Sequence, residues 1–361
     1  MKVKIVSLVF CLSLLLCTLT ACAGRGNQSA DVHVFYYTYS DPYISTVRSA
    51  LDAKLKSEGI RFQDHDGNNS QTTQTEQIQT AITKGAKLLV VNIVTTGSDD
   101  AASGIVALAK NAGIPVVFFN REVSDAVVKS YEKCAFVGTD AAEAGHLQGQ
   151  MIGNYLLGNY DKVDLNGDGK ISYVLFMGEK GNNEAIYRTE YSVEDANRIL
   201  TDAGKPALAF YDPANRDGYL LDREGKWSAQ AANDYMNTIL ASYSTAGGNM
   251  VELVICNNDG MAEGAISALS AAGYNTGAEN AVTIPVFGVD ATSAAKELIR
   301  AGKMAGTIKQ DADGMAEALL DVIENATEGK AILEDMDDYT IDETVAKVRI
   351  SYAVYLGEEN Q

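Results

Sequence analysis

The chain has 361 residues, long for a single hydrophobic core and suited to two domains of ordinary size. With 46% hydrophobic and 21% charged residues it sits in the globular range, so neither a disordered tail protein nor a multi-span membrane protein fits. Its 48 acidic residues against 29 basic ones give a formal charge of −19 at pH 7, which repels phosphate backbones and argues against nucleic acid as a partner.

Taken in chain order, the first element is a targeting segment. Lys2 and Lys4 precede an apolar run over 5–16, followed by Leu19-Thr20-Ala21-Cys22, and this reads as a secretory signal over 1–21. The run is short for a membrane span, and an uncleaved anchor is the bland alternative. Leu19-Thr20-Ala21-Cys22 also resembles the bacterial lipobox, which implies a lipidated Cys22 as the mature N-terminus and 22–30 as a flexible tether. Cys11 and Cys17 leave with the signal, so Cys134 and Cys256 remain. Both sit in apolar runs, where buried free thiols are the expectation and a disulfide the alternative.

From residue 31 onward, short runs rich in Val, Ile, Phe and Tyr alternate with stretches of helical period. The pattern predicts strands over 32–37, 87–94, 116–119, 135–137, 171–177, 251–256, 283–289 and 305–308. Helices are expected over 44–55, 75–84, 102–111, 141–157, 228–242, 261–271 and 291–300, among others. Repeated strand-helix units of this kind build α/β folds with doubly wound parallel sheets. Polar residues stand just past the apolar runs: Asp41, Asn92, Asn120, Asn258 with Asp259, Asp290, and Gln310 with Asp311. In open parallel sheets, ligands bind outside the carboxyl ends of the strands, where such residues converge. The competing reading is that Asn and Asp suit turns and helix caps wherever they occur.

Enzyme motifs do not emerge. The sequence contains no G-x-S-x-G, no phosphate loop, no H-E-x-x-H and no C-x-x-C, and His33, His65 and His146 show no metal spacing. His33, inside an apolar strand, is expected to be a packed core residue. Carboxylates, amides and an arginine suit holding hydroxyl groups more than breaking bonds.

Two features do carry chemistry. Asp164-Leu165-Asn166-Gly167-Asp168-Gly169-Lys170-Ile171-Ser172 places oxygen ligands at positions 1, 3 and 5 of a calcium loop, glycine at 6 and the Lys170 carbonyl at 7. Its twelfth position is Leu175, so either the loop is a metal-free turn or a carboxylate from elsewhere completes it. Trp227, the only tryptophan, and Tyr43 both lie among polar loop residues. Flat rings bury the C–H faces of a pyranose while carboxylates and amides bond its rim, although either ring alone could simply pack.

The chain resembles the periplasmic galactose/glucose-binding proteins, type I periplasmic binding proteins that serve ABC sugar transporters, over nearly all of 31–357. The resemblance is carried by Tyr43-Ile44-Ser45-Thr46-Val47-Arg48, Val116-Val117-Phe118-Phe119-Asn120-Arg121-Glu122, Val137-Gly138-Thr139-Asp140, Asn257-Asn258-Asp259 and Pro285-Val286-Phe287-Gly288-Val289-Asp290-Ala291. It implies two lobes joined by a three-strand hinge, with sugar between them. The lobes are expected over 31–114 plus 310–347 and over 115–309 plus 348–361.

By the same resemblance, Asp41, Asn92, Arg188, Asn258 and Asp290 are hydroxyl ligands, and Tyr43 and Trp227 are the stacking rings. Asp164, Asn166, Asp168, the Lys170 carbonyl and Glu252 hold Ca2+. Ser172 stands where the family has a glutamine ligand. Asn182, Asn183 and Glu184 replace the family's histidine, proline and aspartate, and Gln310 replaces its asparagine. Residues 212–226 form a longer segment than the family's. These departures alter the reach of the polar rim.

The expectation is therefore an exported, lipid-anchored monomer, not an enzyme, that binds a glucose- or galactose-like monosaccharide and delivers it to membrane permease subunits by closing about its hinge. Presentation of the bound sugar to a chemoreceptor or histidine kinase is the alternative. A sugar-responsive repressor shares the fold, but no basic helix-turn-helix precedes it. An enzyme would need two crevice carboxylates spaced as an acid/base pair.

Overall fold

The computed structural model describes residues 30–342 and 344–357, so the leader, Cys22 and residues 23–29 of the tether lie outside the described residues. The chain first lays down β1 (Val32–Tyr36), α1 (Pro42–Ser57), β2 (Phe62–Asp66), α2 (Gln71–Thr83), β3 (Leu88–Val91), α3 (Asp100–Ala112), β4 (Val116–Phe119), α4 (Asp125–Lys129) and β5 (Cys134–Gly138). It continues with α5 (Ala141–Val163), β6 (Ser172–Met177), α6 (Asn183–Asp202), β7 (Ala209–Phe210), β8 (Leu220–Leu221), α7 (Ala229–Leu240), β9 (Leu253–Cys256), α8 (Asp259–Ala271), β10 (Val286–Asp290), α9 (Ser293–Arg300) and β11 (Gly306–Gln310). Last come α10 (Ala312–Glu328), β12 (Thr340–Ile341), β13 (Lys347–Arg349) and β14 (Tyr352–Tyr355).

Two sheets result. One runs β12-β13-β5-β4-β3-β1-β2, the other β14-β11-β10-β9-β6-β7, with β8 also on β6. All pairs are parallel except β12 with β13 and β11 with β14. Central strands are apolar on both faces because helices cover both. In β1, Val32, Val34 and Tyr36 join the core under α1 and α10, while Phe35 joins the one under α2 and α3. The second sheet is likewise packed between α7, α8 and α9 on one face and α5 and α6 on the other.

The sheet order corrects the expected lobe boundaries. β4 and β5 belong to the first sheet, so the first crossing follows Gly138 instead of falling at 114/115. Gln310 ends β11 in the second sheet, and Val348 and Arg349 lie in β13 of the first. The three crossings run side by side. Ile350 N donates to Gly138 O (2.9 Å), Arg349 Nη1 to Thr139 O (2.7 Å), and the Thr139 and Tyr352 hydroxyls are 2.8 Å apart.

One packing device positions the site directly. Gly145, Gly149 and Gly153 of α5 lie against α6 so closely that a Cβ at Gly145 would stand 2.3 Å from Tyr187 O. That approach holds α6, whose first turns carry Asn182, Glu184 and Arg188. Cys134 and Cys256 are buried free thiols in different sheets, as expected. His33 is buried, with Nδ1 2.8 Å from His65 Nε2.

Candidate functional site

A cavity opens between the carboxyl ends of the two sheets. It is narrow, about 40 Å³ in volume. Tyr37, Asp41, Tyr43, Ile44, Asn120 and Arg121 line it from the first lobe. Asn182, Glu184, Arg188, Trp227, Asn258, Asp290 and Gln310 line it from the second.

Three of these residues are helix caps. Asp41 Oδ1 accepts from Ile44 N (2.8 Å), Asn182 Oδ1 from Ala185 N (3.2 Å) and Asn258 Oδ1 from Met261 N (2.9 Å). The cap role and the cavity role thus coincide, and the N-termini of α1, α6 and α8 face the crevice with their partial positive charge. Asp41 has a second partner: Tyr37 Oη donates to its Oδ2 at 2.6 Å.

Arg188 organises the second lobe's wall. It is buried; Nη1 donates to Asn257 O (2.9 Å), and Nη2 donates to Tyr352 Oη (2.9 Å) and Gln310 Oε1 (3.3 Å). The arginine therefore touches the hinge through Tyr352 and the cavity through Gln310. Glu184 lies one helical turn before it, and burial pushes its carboxyl up to about 7 although Arg188 opposes the shift. Burial also raises Asp290 well above the usual carboxylate range, again against Arg188.

Among the described residues, several polar atoms here find no hydrogen-bond partner: both Glu184 carboxyl oxygens, Arg188 Nε, Arg121 Nε and Gln310 Nε2. Buried polar atoms without partners are costly and few in native proteins, so a cluster of them facing one cavity points to a polar ligand. The backbone is strained at the same place: Asp290, Ala291, Asn120 and Trp227 have φ of 125°, 56°, 59° and 55°. Trp227 lies against Gly178, where an added Cβ would come within 2.2 Å of the indole. The segment over 212–226 helps set that ring. Asp222 N donates to Met177 O, and Asp222 Oδ2 accepts from Ser228 N just beyond the tryptophan.

Nine of the ten residues expected at the site line the cavity. Asn92 does not. It is fully buried behind the wall, where Oδ1 accepts from Tyr37 N (3.2 Å) and Nδ2 donates to Phe119 O (3.2 Å) and Asn120 Oδ1 (3.1 Å). The cavity position belongs to Asn120, which follows β4 as Asn92 follows β3. Tyr37 and Arg121 were not among the expected residues. The Arg121 guanidinium stands 4.3 Å over the Tyr37 ring, a pairing across 84 residues that no local pattern announces. Asp259, adjacent to the site, is structural: Oδ1 accepts from Thr307 Oγ1 (2.6 Å) and Oδ2 from Thr292 N (2.8 Å).

The acidic loop lies in the second lobe. Asp164 caps the end of α5, and its carboxylate accepts from Gly167 N (2.8 Å) and Gly169 N (2.9 Å). Asn166 Oδ1 accepts from Asp168 N and Asp168 Oδ1 from Lys170 N, both at 2.8 Å. Glu252, fully buried, reaches the loop from just before β9. Its Oε1 accepts from Leu165 N (2.8 Å) and its Oε2 from Ser172 N (2.9 Å) and Ser172 Oγ (3.1 Å). Among the described residues no three His, Cys, Asp or Glu side chains form a ready metal cluster. The donor set here instead combines carboxylates with an amide, a hydroxyl and a main-chain carbonyl. These are hard oxygens of the kind calcium takes; the Asp164 and Asp168 oxygens that accept one N–H retain a lone pair, whereas each Glu252 oxygen already accepts two hydrogen bonds.

A two-lobed α/β molecule with its polar cavity between the lobes defines the class of hinged ligand-binding proteins. The chain belongs to the periplasmic binding protein family, whose domain it matches over residues 32–331, and it is a binder rather than an enzyme. It is 34% identical over 328 residues to the D-galactose/methyl-galactoside binding periplasmic protein MglB of Haemophilus influenzae, covering 88% of this chain and 90% of that one. It is 28% identical over 292 residues to the multiple sugar-binding periplasmic receptor ChvE of Rhizobium radiobacter, covering 79% and 74%. In fold it is similar to an ABC transporter solute binding protein from Clostridium phytofermentans with bound β-D-glucose (TM-score 0.69, 22% identity, 90% and 94% covered). A Bacillus halodurans solute binding protein with bound myo-inositol gives a TM-score of 0.67 at 24% identity, with 92% and 96% covered.

Proposed function

We propose that the protein is the substrate-binding lipoprotein of an ABC-type sugar importer and that its ligand is a hexose of the glucose/galactose type. The observation that carries this reading is the cavity itself, with Tyr43 on one lobe, Trp227 on the other and unpartnered polar atoms of Glu184, Arg188 and Gln310 between them. A pyranose supplies what those groups lack: hydroxyls that donate to carboxylates, oxygens that accept from Arg188, and C–H faces for the rings. The sugar names carried by the Haemophilus and Clostridium proteins support the class. The myo-inositol of the Bacillus protein shows how readily this fold changes ligand, and Asn182, Glu184 and Gln310 are where we place that choice.

Calorimetric titration against a panel of monosaccharides tests the reading. Glucose or galactose is expected to bind and to change Trp227 fluorescence, with other aldoses far weaker. Failure of every aldose to bind sinks the hexose assignment.

Calcium is a second proposal, supported by the convergence of Glu252 on the loop that holds Asp164, Asn166, Asp168 and Ser172. Bound there, it would supply positive charge that ties the end of α5 to the β6–β9 edge, away from the cavity. The third is membrane tethering through a lipidated Cys22. Cys22→Ala is expected to move the protein from the membrane to the soluble fraction, and a wild-type protein already soluble would overturn it.

A further inference from the structure

Glu179 lines no part of the cavity and carries no established role, yet four donors from both lobes meet on its carboxylate. From the first lobe come Arg121 Nη2, in a short ion pair, and Thr96 Oγ1 (3.3 Å). From the second come Asn182 Nδ2 and Trp227 Nε1, both at 3.3 Å. Asn182 Nδ2 also lies 3.3 Å from Thr96 Oγ1. The Arg121 and Glu179 side chains are only 5% and 16% exposed, so the pair is shielded from the screening that weakens surface ion pairs.

We propose that Glu179 is the cross-lobe latch of this protein and the positioning residue for Trp227, so that lobe closure and correct orientation of the stacking ring are one event. The inference rests on the reading of the cleft as a sugar site. Only in the closed arrangement does the carboxylate complete its shell, because two of its donors belong to the opposite lobe. When the lobes part, Glu179 loses Arg121 and Thr96, and the indole N–H loses a carboxylate held at fixed orientation. Arg121 extends the linkage: it donates to Val94 O (3.0 Å) and covers the ring of Tyr37, whose hydroxyl holds Asp41. A residue acting only in the closed state alters escape of the ligand far more than its entry.

The test compares wild type with Glu179→Gln, Arg121→Gln and the double variant. Binding of D-glucose and D-galactose is followed by stopped-flow Trp227 fluorescence, and exposure of the indole by acrylamide quenching. Each single variant is expected to speed sugar dissociation at least tenfold, to leave association within about threefold, and to raise quenching of Trp227 in the sugar-bound state. The double variant is expected to lose clearly less than the sum of the two singles, since both remove the Glu179–Arg121 pair. Unchanged dissociation and quenching, or fully additive losses, overturn the latch. If wild type binds neither sugar, the hexose assignment falls by itself. Spin-label distances across the cleft then decide the latch: a more open Glu179→Gln distribution upholds it, and a distribution identical to wild type overturns it. Circular dichroism of the conservative Glu179→Gln variant separates these outcomes from misfolding.

Discussion

The second lobe holds two polar clusters that answer the same physical problem in opposite ways. In the loop over 164–172, the carboxylate of Asp164, the side-chain oxygens of Asn166 and Asp168 and both oxygens of Glu252 accept hydrogen bonds from nearby main-chain N–H groups. In the cleft, Glu184 is buried, unlike the largely exposed loop, and among the described residues neither of its oxygens has a hydrogen-bond partner. A cluster whose members satisfy one another serves the fold, whereas one left incomplete is complementary to something that arrives. Substitutions should therefore act on stability in the loop and on ligand affinity in the cleft.

The largest expected effect blurs that division on purpose. Arg188→Met removes the charge that compensates Glu184 and Asp290 and frees the hinge tyrosine Tyr352, and is expected to cost about 3–5 kcal/mol. It should be visible as lost sugar binding and as a lower melting temperature. Next comes the loop. Excess chelator, or Glu252→Ala, is expected to lower the melting temperature, since an ion present at a hundredfold over its Kd contributes about 2.7 kcal/mol. Sugar affinity should stay within about twofold, and a melting curve unmoved by chelator would break the calcium proposal.

Two cleft substitutions sharpen the other side. Asp290→Asn replaces a buried carboxyl with an amide at a strained position, and a loss of about 1–3 kcal/mol in sugar binding is expected by calorimetry. Trp227→Ala removes one stacking face and is expected to cost about 1.5 kcal/mol, roughly tenfold in Kd. Because the ring is also buried in the second lobe's core, some loss of melting temperature accompanies it; a stability loss with unchanged affinity would make it a packing residue only.

The smallest effect is a slope. Glu184 has its carboxyl raised from 4.5 to about 7 by burial, so the folded protein binds a proton there that the unfolded chain releases. The stability linked to that proton is fully present below pH 4.5 and is lost as pH rises through about 7. Glu184→Gln is expected to flatten the fall in ligand-free stability across that window, measured by denaturant titration at several pH values. An unchanged slope would mean that Glu184 is solvated in the open protein.

Much of this arrangement was legible because parallel strands buried on both faces must be continuous apolar runs, and the polar residue that ends each run must fall at the sheet's carboxyl edge. That logic found Asp41, Asn258, Asp290 and Gln310, and the calcium-like spacing after α5 needed only side-chain chemistry. It failed where position along a strand does not determine depth. Asn92 and Asn120 both follow a core strand, yet Asn92 turns inward to bond Tyr37 N and Asn120, and the cavity receives Asn120. β2 escaped detection because, as an edge strand, Phe62-Gln63-Asp64-His65-Asp66 has no second apolar face to declare.

By itself the sequence determined the α/β alternation, the polar character of the strand ends and the inventory of donors and acceptors, since these follow from local periodicity and residue chemistry. Only the tertiary structure decided where the chain crosses between sheets, which of two equivalent asparagines faces the cavity, and that Glu179 meets Arg121, Thr96, Asn182 and Trp227. Those outcomes depend on how two independently wound sheets are brought face to face, and the pairings of Glu179 with Thr96, Arg121 and Trp227, 48 to 83 residues apart, leave no period in the chain.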